Sequence, residues 1–301
     1  MNPAAVGLPQ QSPLAHPDQA VRIYTANRGS ANVVAFKTTA SGNTAPVVNI
    51  SGSKTSLSDP DSMALDSKGN IYVANDGATE VAVFAASANG NAAPAHTVGG
   101  SKSHLGPTEG LFVDPSDNLW ASDFSDNLVT EYKKGASGNV KPKVTIQGSH
   151  TGLATPVGMA MNSSGELFVA NAGGESIVAF AKGAKGNASP VVTISGGNTG
   201  LSRPFALAFD HTGRLLVADE SAGILVFASG ANGNVAPVQV ITGLEYPTGV
   251  AADKQDHIWA ADFSGNSIDE YASNANGNAT PLNVISGSKT TLSGACYLAF
   301  H

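Results

Sequence analysis

The string SGNTAP occupies residues 41–46, and near copies return as NGNAAP at 89–94, SGNVKP at 137–142, KGNASP at 185–190, NGNVAP at 232–237 and NGNATP at 276–281. Its glycine falls at Gly42, Gly90, Gly138, Gly186, Gly233 and Gly277, so successive copies lie 48, 48, 48, 47 and 44 residues apart. A period of this length indicates a repeat architecture, and its content decides which one. From Pro60, PDSMALD reads as a short apolar strand and SKGN as a turn. IYVAN, EVAVFAA and AHTVGG follow as three more strands, rich in β-branched and aromatic residues. No amphipathic helical stretch of useful length interrupts the pattern. Four short antiparallel strands per period describe a propeller blade rather than a helical solenoid.

The second strand occurs six times, as IYTAN (23–27), IYVAN (71–75), LWASD (119–123), LFVAN (167–171), LLVAD (215–219) and IWAAD (258–262). The inner strand also occurs six times, at 60–66, 107–114, 156–162, 204–210, 247–253 and 295–300. The chain enters on a second strand and leaves on an inner strand, GACYLAFH. Pairing the two completes a sixth blade and removes the exposed sheet edges. The expected fold is therefore all-β, a six-bladed β-propeller over residues 21–301, with 1–20 as a flexible lead-in. The opening motif falls in the turn between third and outer strands. Gly and Asn there suit positive φ, and Pro can open an edge strand. Six copies at blade spacing read as scaffold, set away from any ligand face.

Composition narrows the function. Hydrophobic residues make up 42% of the 301 and charged residues 13%, which suits a packed core. A net charge of −7 argues against nonspecific nucleic-acid binding, which needs a basic surface to displace counterions. No run of 18 apolar residues exists, so no helical membrane span is expected. Low Lys and Glu usage with abundant Ser, Thr, Asn and Gly points to an exported protein. The start, MNPAAVGLPQQSPLAHPDQA, lacks the basic and apolar regions of an intact signal peptide. One reading of it is a chain begun after a removed signal, with Met1 supplied for expression. A single cysteine, Cys296, permits no intrachain disulfide and reads as a buried structural thiol. P-loop, G-x-S-x-G and H-E-x-x-H motifs are absent from the sequence. A monomer is expected.

PVGMAMNSSGELFVANAGGESIVAF (156–180) and PTGVAADKQDHIWAADFSGNSIDEY (247–271) resemble the NHL repeat, and the resemblance extends over about residues 21–301. Propellers of this kind include calcium-dependent gluconolactonases, paraoxonases, strictosidine synthases, an amidoglycolate lyase and NHL domains that bind protein or RNA. The blade signature of streptogramin lyase is not matched. Fold does not choose among these activities. The resemblance implies that ligands enter the central channel from one face. That face carries the loops between outer and next inner strands and those between second and third strands.

Departures from the repeat on that face are the candidate site. At the channel-mouth position of the inner strands stand Asp61, Glu109, Val157, Phe205, Thr248 and Cys296. Asp61 and Glu109, on neighbouring blades, suit either Ca²⁺ ligation or acid–base work. After the second strand stand Arg28, Asp76, Phe124, Ala172, Glu220 and Phe263. Arg28 is placed to neutralise Asp61, and Phe124 and Phe263 to wall an apolar ligand. Asp76, Glu220, Phe205 and Thr248 complete the candidate ligand contacts. His104 and His150, in loops of the same face, are candidates with Glu109 for a general-base cluster or a transition-metal site. His211 and His257 fall on the opposite face. Lys54, Lys102 and Lys289 repeat in the GSKT-type loops as solvated residues. The Asn or Asp closing each second strand (Asn27, Asn75, Asp123, Asn171, Asp219, Asp262) reads as a turn acceptor, and Trp120 and Trp259 as packing between blades. The expected function is binding of a small molecule or protein at the channel mouth. The alternatives are a Ca²⁺-dependent lactonase-like hydrolase or a metal-free lyase or cyclase, each built on Asp61 and Glu109. No cofactor is required by the sequence, and Ca²⁺ in the channel is the candidate.

Overall fold

Each period closes into one four-stranded antiparallel sheet, and the sheets stand radially around a channel. The computed structural model describes residues 21–76 and 79–301, and the lead-in assigned to residues 1–20 lies outside the described residues. Blade one is Pro60–Leu65, Ile71–Asn75, Glu80–Phe84 and His96–Gly99, in order from channel to rim. Blades two to five begin with the inner strands Thr108–Val113, Pro156–Met161, Pro204–Phe209 and Pro247–Ala252. The closing blade combines the last strand, Ala295–Phe300, with Arg22–Asn27, Asn32–Lys37 and Val48–Ile50. Its register, Ile23 opposite Phe300 and Asn27 opposite Ala295, joins the two ends of the chain. The protein is thus a six-bladed β-propeller, with one short 3-10 turn at Ala172–Gly174 as the only helical element among the described residues.

Second strands such as Ile71–Asn75 and Leu215–Asp219 are buried at every position. A sheet sandwiched between two neighbouring sheets has no solvent face, so its apolar residues run on instead of alternating. Aromatic side chains fill the seams. Phe168 of blade three meets Phe209 of blade four edge-on at 5.0 Å, and Trp259 of blade five meets Phe300 of the closing blade at 5.9 Å. The outer strands are only three or four residues long and half-buried, which limits the exposed edge.

The SGNTAP motif does more than turn the chain. The structure corrects its expected position away from the ligand face. Residues 38–47 link third to outer strand by climbing the flank of the preceding blade. The Asn283 side chain donates to Ala40 O at the start of blade five's outer strand (2.6 Å). Gly42 N donates to Val284 O (2.7 Å), and Asn43 Oδ1 accepts from Lys289 N (2.6 Å) in the loop beyond that strand's end. The same parallel bridge recurs at Gly90, Gly138, Gly186, Gly233 and Gly277. The extra chain length is used to latch each blade to the one before it.

Every inner strand also carries a β-bulge where it passes the channel mouth, between Pro60 and Ser62, Thr108 and Gly110, Pro156 and Met159, Pro204 and Ala206, and Pro247 and Gly249. The closing strand has its irregularity opposite Thr25. A bulge inserts an unpaired residue and re-aims its side chain. It is the element that turns Asp61, Glu109, Phe205 and Thr248 toward the channel.

Candidate functional site

Three consecutive levels of the repeat build the channel mouth. The uppermost is the residue just before each inner strand. Arg203 and Tyr246 occupy it in blades four and five, and their backbone N–H groups are held by Asp219 (3.0 Å) and Asp262 (2.9 Å). These are two of the acids that close the second strands. Those acids therefore accept turn N–H bonds, and they also fix the height of the site residues.

The next level follows the second strands. Glu220 N donates to Arg203 O (3.1 Å), Phe263 N to Tyr246 O (2.9 Å), Asp76 N to Asp59 O (2.9 Å) and Arg28 N to Gly294 O (3.0 Å). The lowest level is the bulge position with Asp61, Glu109, Phe205, Thr248 and Cys296.

These side chains converge on a cavity of about 350 Å³, lined by Arg28, Asp61, Glu109, Phe205, Glu220, Thr248 and Phe263 together with Arg203, Tyr246, Ser264 and Cys296. Asp76 does not line it but pairs with Arg28. Phe124 stands half-buried outside it, and His104 and His150 are exposed on loops beyond it. Those three are not brought together with the carboxylates. His104 sits at a φ of 57°, on the crest of its loop.

The electrostatics are asymmetric. Arg28 is shared, with one nitrogen 3.1 Å from Asp61 Oδ1 and another against Asp76. Arg203 Nε lies 2.8 Å from Glu220 Oε2, close in distance though not aligned as a hydrogen bond. Tyr246 lies beside the same acid, and burial followed by Glu220 pushes its phenol up to about 12. Glu109 makes no ion pair among the described residues, although Arg203 and Arg28 are near enough to oppose its rise. Asp61 is only 2% exposed, and its Oδ2 is buried without any hydrogen-bond partner. Burial pushes the Asp61 carboxyl up to about 7; Arg28 opposes the rise, and Asp76 and Glu109 add to it. Burial likewise raises Glu109, with Asp76 as the next cause. Cys296 is a buried thiol pushed up to about 12 by burial and then by Asp61, which makes it a poor nucleophile.

Calcium fits this mouth badly. It needs six to eight oxygen ligands. The bulge ring supplies the carboxylates of Asp61 and Glu109, but Val157, Phe205 and Cys296 stand at the other positions. Thr248 Oγ1 is engaged with Ala295 O (2.8 Å), and a guanidinium sits on Asp61.

Tyr297 is buried behind the wall of the cavity. The slot after the bulge residue holds Ser62, Gly110, Gly158, Ala206 and Gly249, then Tyr297. Its ring packs 5.4 Å from Phe205, and its hydroxyl is buried without a partner. Sequence reasoning missed Tyr297, Arg203, Tyr246 and Ser264. Aligning the blades one position deeper and one position earlier exposes the first three as departures from the repeat.

A larger groove of about 990 Å³ follows the seams of blades two to four on the opposite face. Of its four carboxylates, Glu131 is neutralised by Lys143 and Asp210 by Arg214, while Asp114 and Glu166 are held by hydrogen bonds from Asn118 and Asn162.

No protein-family model and no curated protein matches the chain. Solved structures do match it. A protein of unknown function from Bacteroides caccae is 11% identical with a TM-score of 0.66, covering 94% of this chain and 99% of the other. A nidogen/laminin complex chain is 13% identical with a TM-score of 0.64, covering 93% and 98%. Streptogramin B lyase is 12% identical with a TM-score of 0.56, covering 76% and 70%. At these identities the likeness is one of fold, and it agrees with the propeller that the strands build.

Proposed function

We propose that the protein binds a small neutral or cationic molecule at the channel mouth. The observation that carries this is Asp61, almost fully buried, with one carboxylate oxygen unpartnered beside the cavity. A buried polar atom left without a partner costs about 1–3 kcal/mol, and a ligand donor would recover it. Four carboxylates (Asp61, Asp76, Glu109, Glu220) face two guanidinium groups (Arg28, Arg203) here, which disfavours an anion. Phe205, Phe263 and Tyr246 offer apolar contact to the ligand body. A concave site of this size suits a small molecule better than a protein surface.

A second reading is supported by the same residue. A carboxyl poised near pH 7 in a cleft suits general acid–base chemistry, in a hydrolase, lyase or cyclase without metal.

Calorimetry and thermal shift against amines, polyols, lactones and esters test both readings. Binding is expected in the wild type and is expected to fall at least tenfold in Asp61→Asn and Glu109→Gln. A ligand bound equally by those variants places the site elsewhere. Turnover of a lactone or ester, with a rate profile turning near pH 7 that Asp61→Asn abolishes, selects the catalytic reading.

A further inference from the structure

On the face opposite the channel mouth, blades one to five each turn from inner to second strand around one acid or amide. Asp66, Asp114, Asn162, Asp210 and Asp253 all accept the backbone N–H groups two and four residues on. The side chain four residues on then returns to that acid or amide. Asn70, Asn118, Glu166 and Arg214 do so in blades one to four. In blade five the returning residue is His257, with Nδ1 3.2 Å from Asp253 Oδ2.

Blade five adds a second acid. Glu270, on the third strand opposite Trp259, places Oε1 2.9 Å from the same His257 Nδ1. Blade two has the matching set. Glu131 lies opposite Trp120, and each Trp Nε1 donates to its turn aspartate at 3.2 Å. There Lys143 neutralises Glu131. Lys143 N donates to Glu131 O, and Leu282 N donates to Glu270 O in the same way, so Leu282 takes the place of that lysine. Blade five therefore brings two carboxylates together with no Lys or Arg on them and an imidazole between. Imidazole sheds its proton near neutral pH, which an ammonium does not.

The geometry points to a divalent transition-metal site formed by Asp253, His257 and Glu270, with Zn²⁺ as the fitting ion. One ligand atom from each residue lies within 4.8 Å of the others, the one such group among the described residues. The His257 nitrogen stands 2.9 and 3.2 Å from the two carboxylate oxygens, against edges of about 3.3–3.4 Å in a tetrahedron with metal–ligand bonds of about 2.0–2.1 Å, so an outward shift of a few tenths of an ångström, chiefly of Glu270, admits the ion. The carboxylate side chains are 15% exposed and that of His257 33%, so the site is walled but open to solvent on one side for a fourth, water ligand. This site is independent of the channel mouth.

The test is titration of the chelator-treated full chain with Zn²⁺ in a calorimeter, and with Co²⁺ by visible absorption. One equivalent is expected, with the intense d–d bands of tetrahedral Co²⁺. His257→Asn installs the residue that blade two uses at this position, Asn118, and so keeps the turn. It is expected to weaken binding at least tenfold, as is Glu270→Gln, while Asp61→Asn leaves it unchanged. Absence of binding in the wild type overturns the proposal and leaves His257 as a proton-filled lock. Binding that survives His257→Asn, or that is lost in Asp61→Asn, overturns it by placing the ion elsewhere.

Discussion

Asp61 concentrates the cost of the channel mouth in one side chain. Its carboxyl is raised from 3.8 to about 7, first by burial, against the pull of Arg28 and with the push of Asp76 and Glu109. The folded chain therefore holds this proton more tightly than the unfolded chain does. Below the unfolded value the group costs nothing. Between the unfolded value and about 7 the unfolded chain ionises while the folded chain still holds its proton, so stability falls across that interval and levels off once the folded carboxyl also ionises. The full penalty above pH 7 is on the order of 4 kcal/mol from this interval. Asn keeps the shape and removes the charge, and Arg28 retains Asp76 as its partner. Asp61→Asn is expected to melt close to the wild type at pH 4 and several degrees higher at pH 8 in a thermal scan. Equal melting of the two proteins at pH 8 would show that the carboxylate is not desolvated.

At the scale of elements, the inner strands explain both the site and its tolerance to change. Their backbones approach so closely around the channel that a Cβ on Gly110 would lie 2.0 Å from Val157 O, and one on Gly158 2.2 Å from Phe205 O. Both obstacles are backbone atoms of the next blade's bulge, which cannot rotate away. Gly158→Ala is expected to cost about 1–3 kcal/mol through overpacking and to lower the denaturant midpoint without changing the slope. An unchanged midpoint would mean that the bulge of blade four yields freely. Much of this level was legible in the sequence. The second strands at 71–75, 119–123, 167–171, 215–219 and 258–262 fall where the repeat puts them, and the mouth position that the NHL resemblance implies is the one at which the inner strands bulge. Periodicity reports register within a blade, which is why Asp61, Glu109 and Arg28 could be brought together on paper. It says nothing about the path of a long connection, so the climb of residues 38–47 along blade five was invisible. It also carries no information on where a loop crest points, which is why His104 and His150 were grouped with carboxylates that they do not reach.

For the whole molecule, the last strand does three jobs at once. Ala295–Phe300 pairs with Arg22–Asn27, and the backbones of Arg22 and His301 bond each other in both directions (2.7 and 3.0 Å), so the ring closes through its chain ends. Cys296 supplies one wall of the channel mouth, and Tyr297 backs the Phe205 wall from behind. A chain ending at Gly294 would expose the paired edge of Arg22–Asn27, where Ile23 and Tyr24 are now buried, and would open the seam beside Trp259 that Phe300 fills. An unpaired apolar edge is a template for association. The 1–294 chain is expected to elute as aggregate in size-exclusion chromatography and to lose near-ultraviolet dichroism. A peptide spanning 295–301 added during refolding should restore both by strand addition. A 1–294 chain that stays compact, with the melting temperature of the full chain, would show that the latches between blades hold the ring without its closing strand. Failure of the peptide to rescue an aggregated 1–294 chain would show that closure must form during folding, within one chain, before the edge of Arg22–Asn27 meets another molecule.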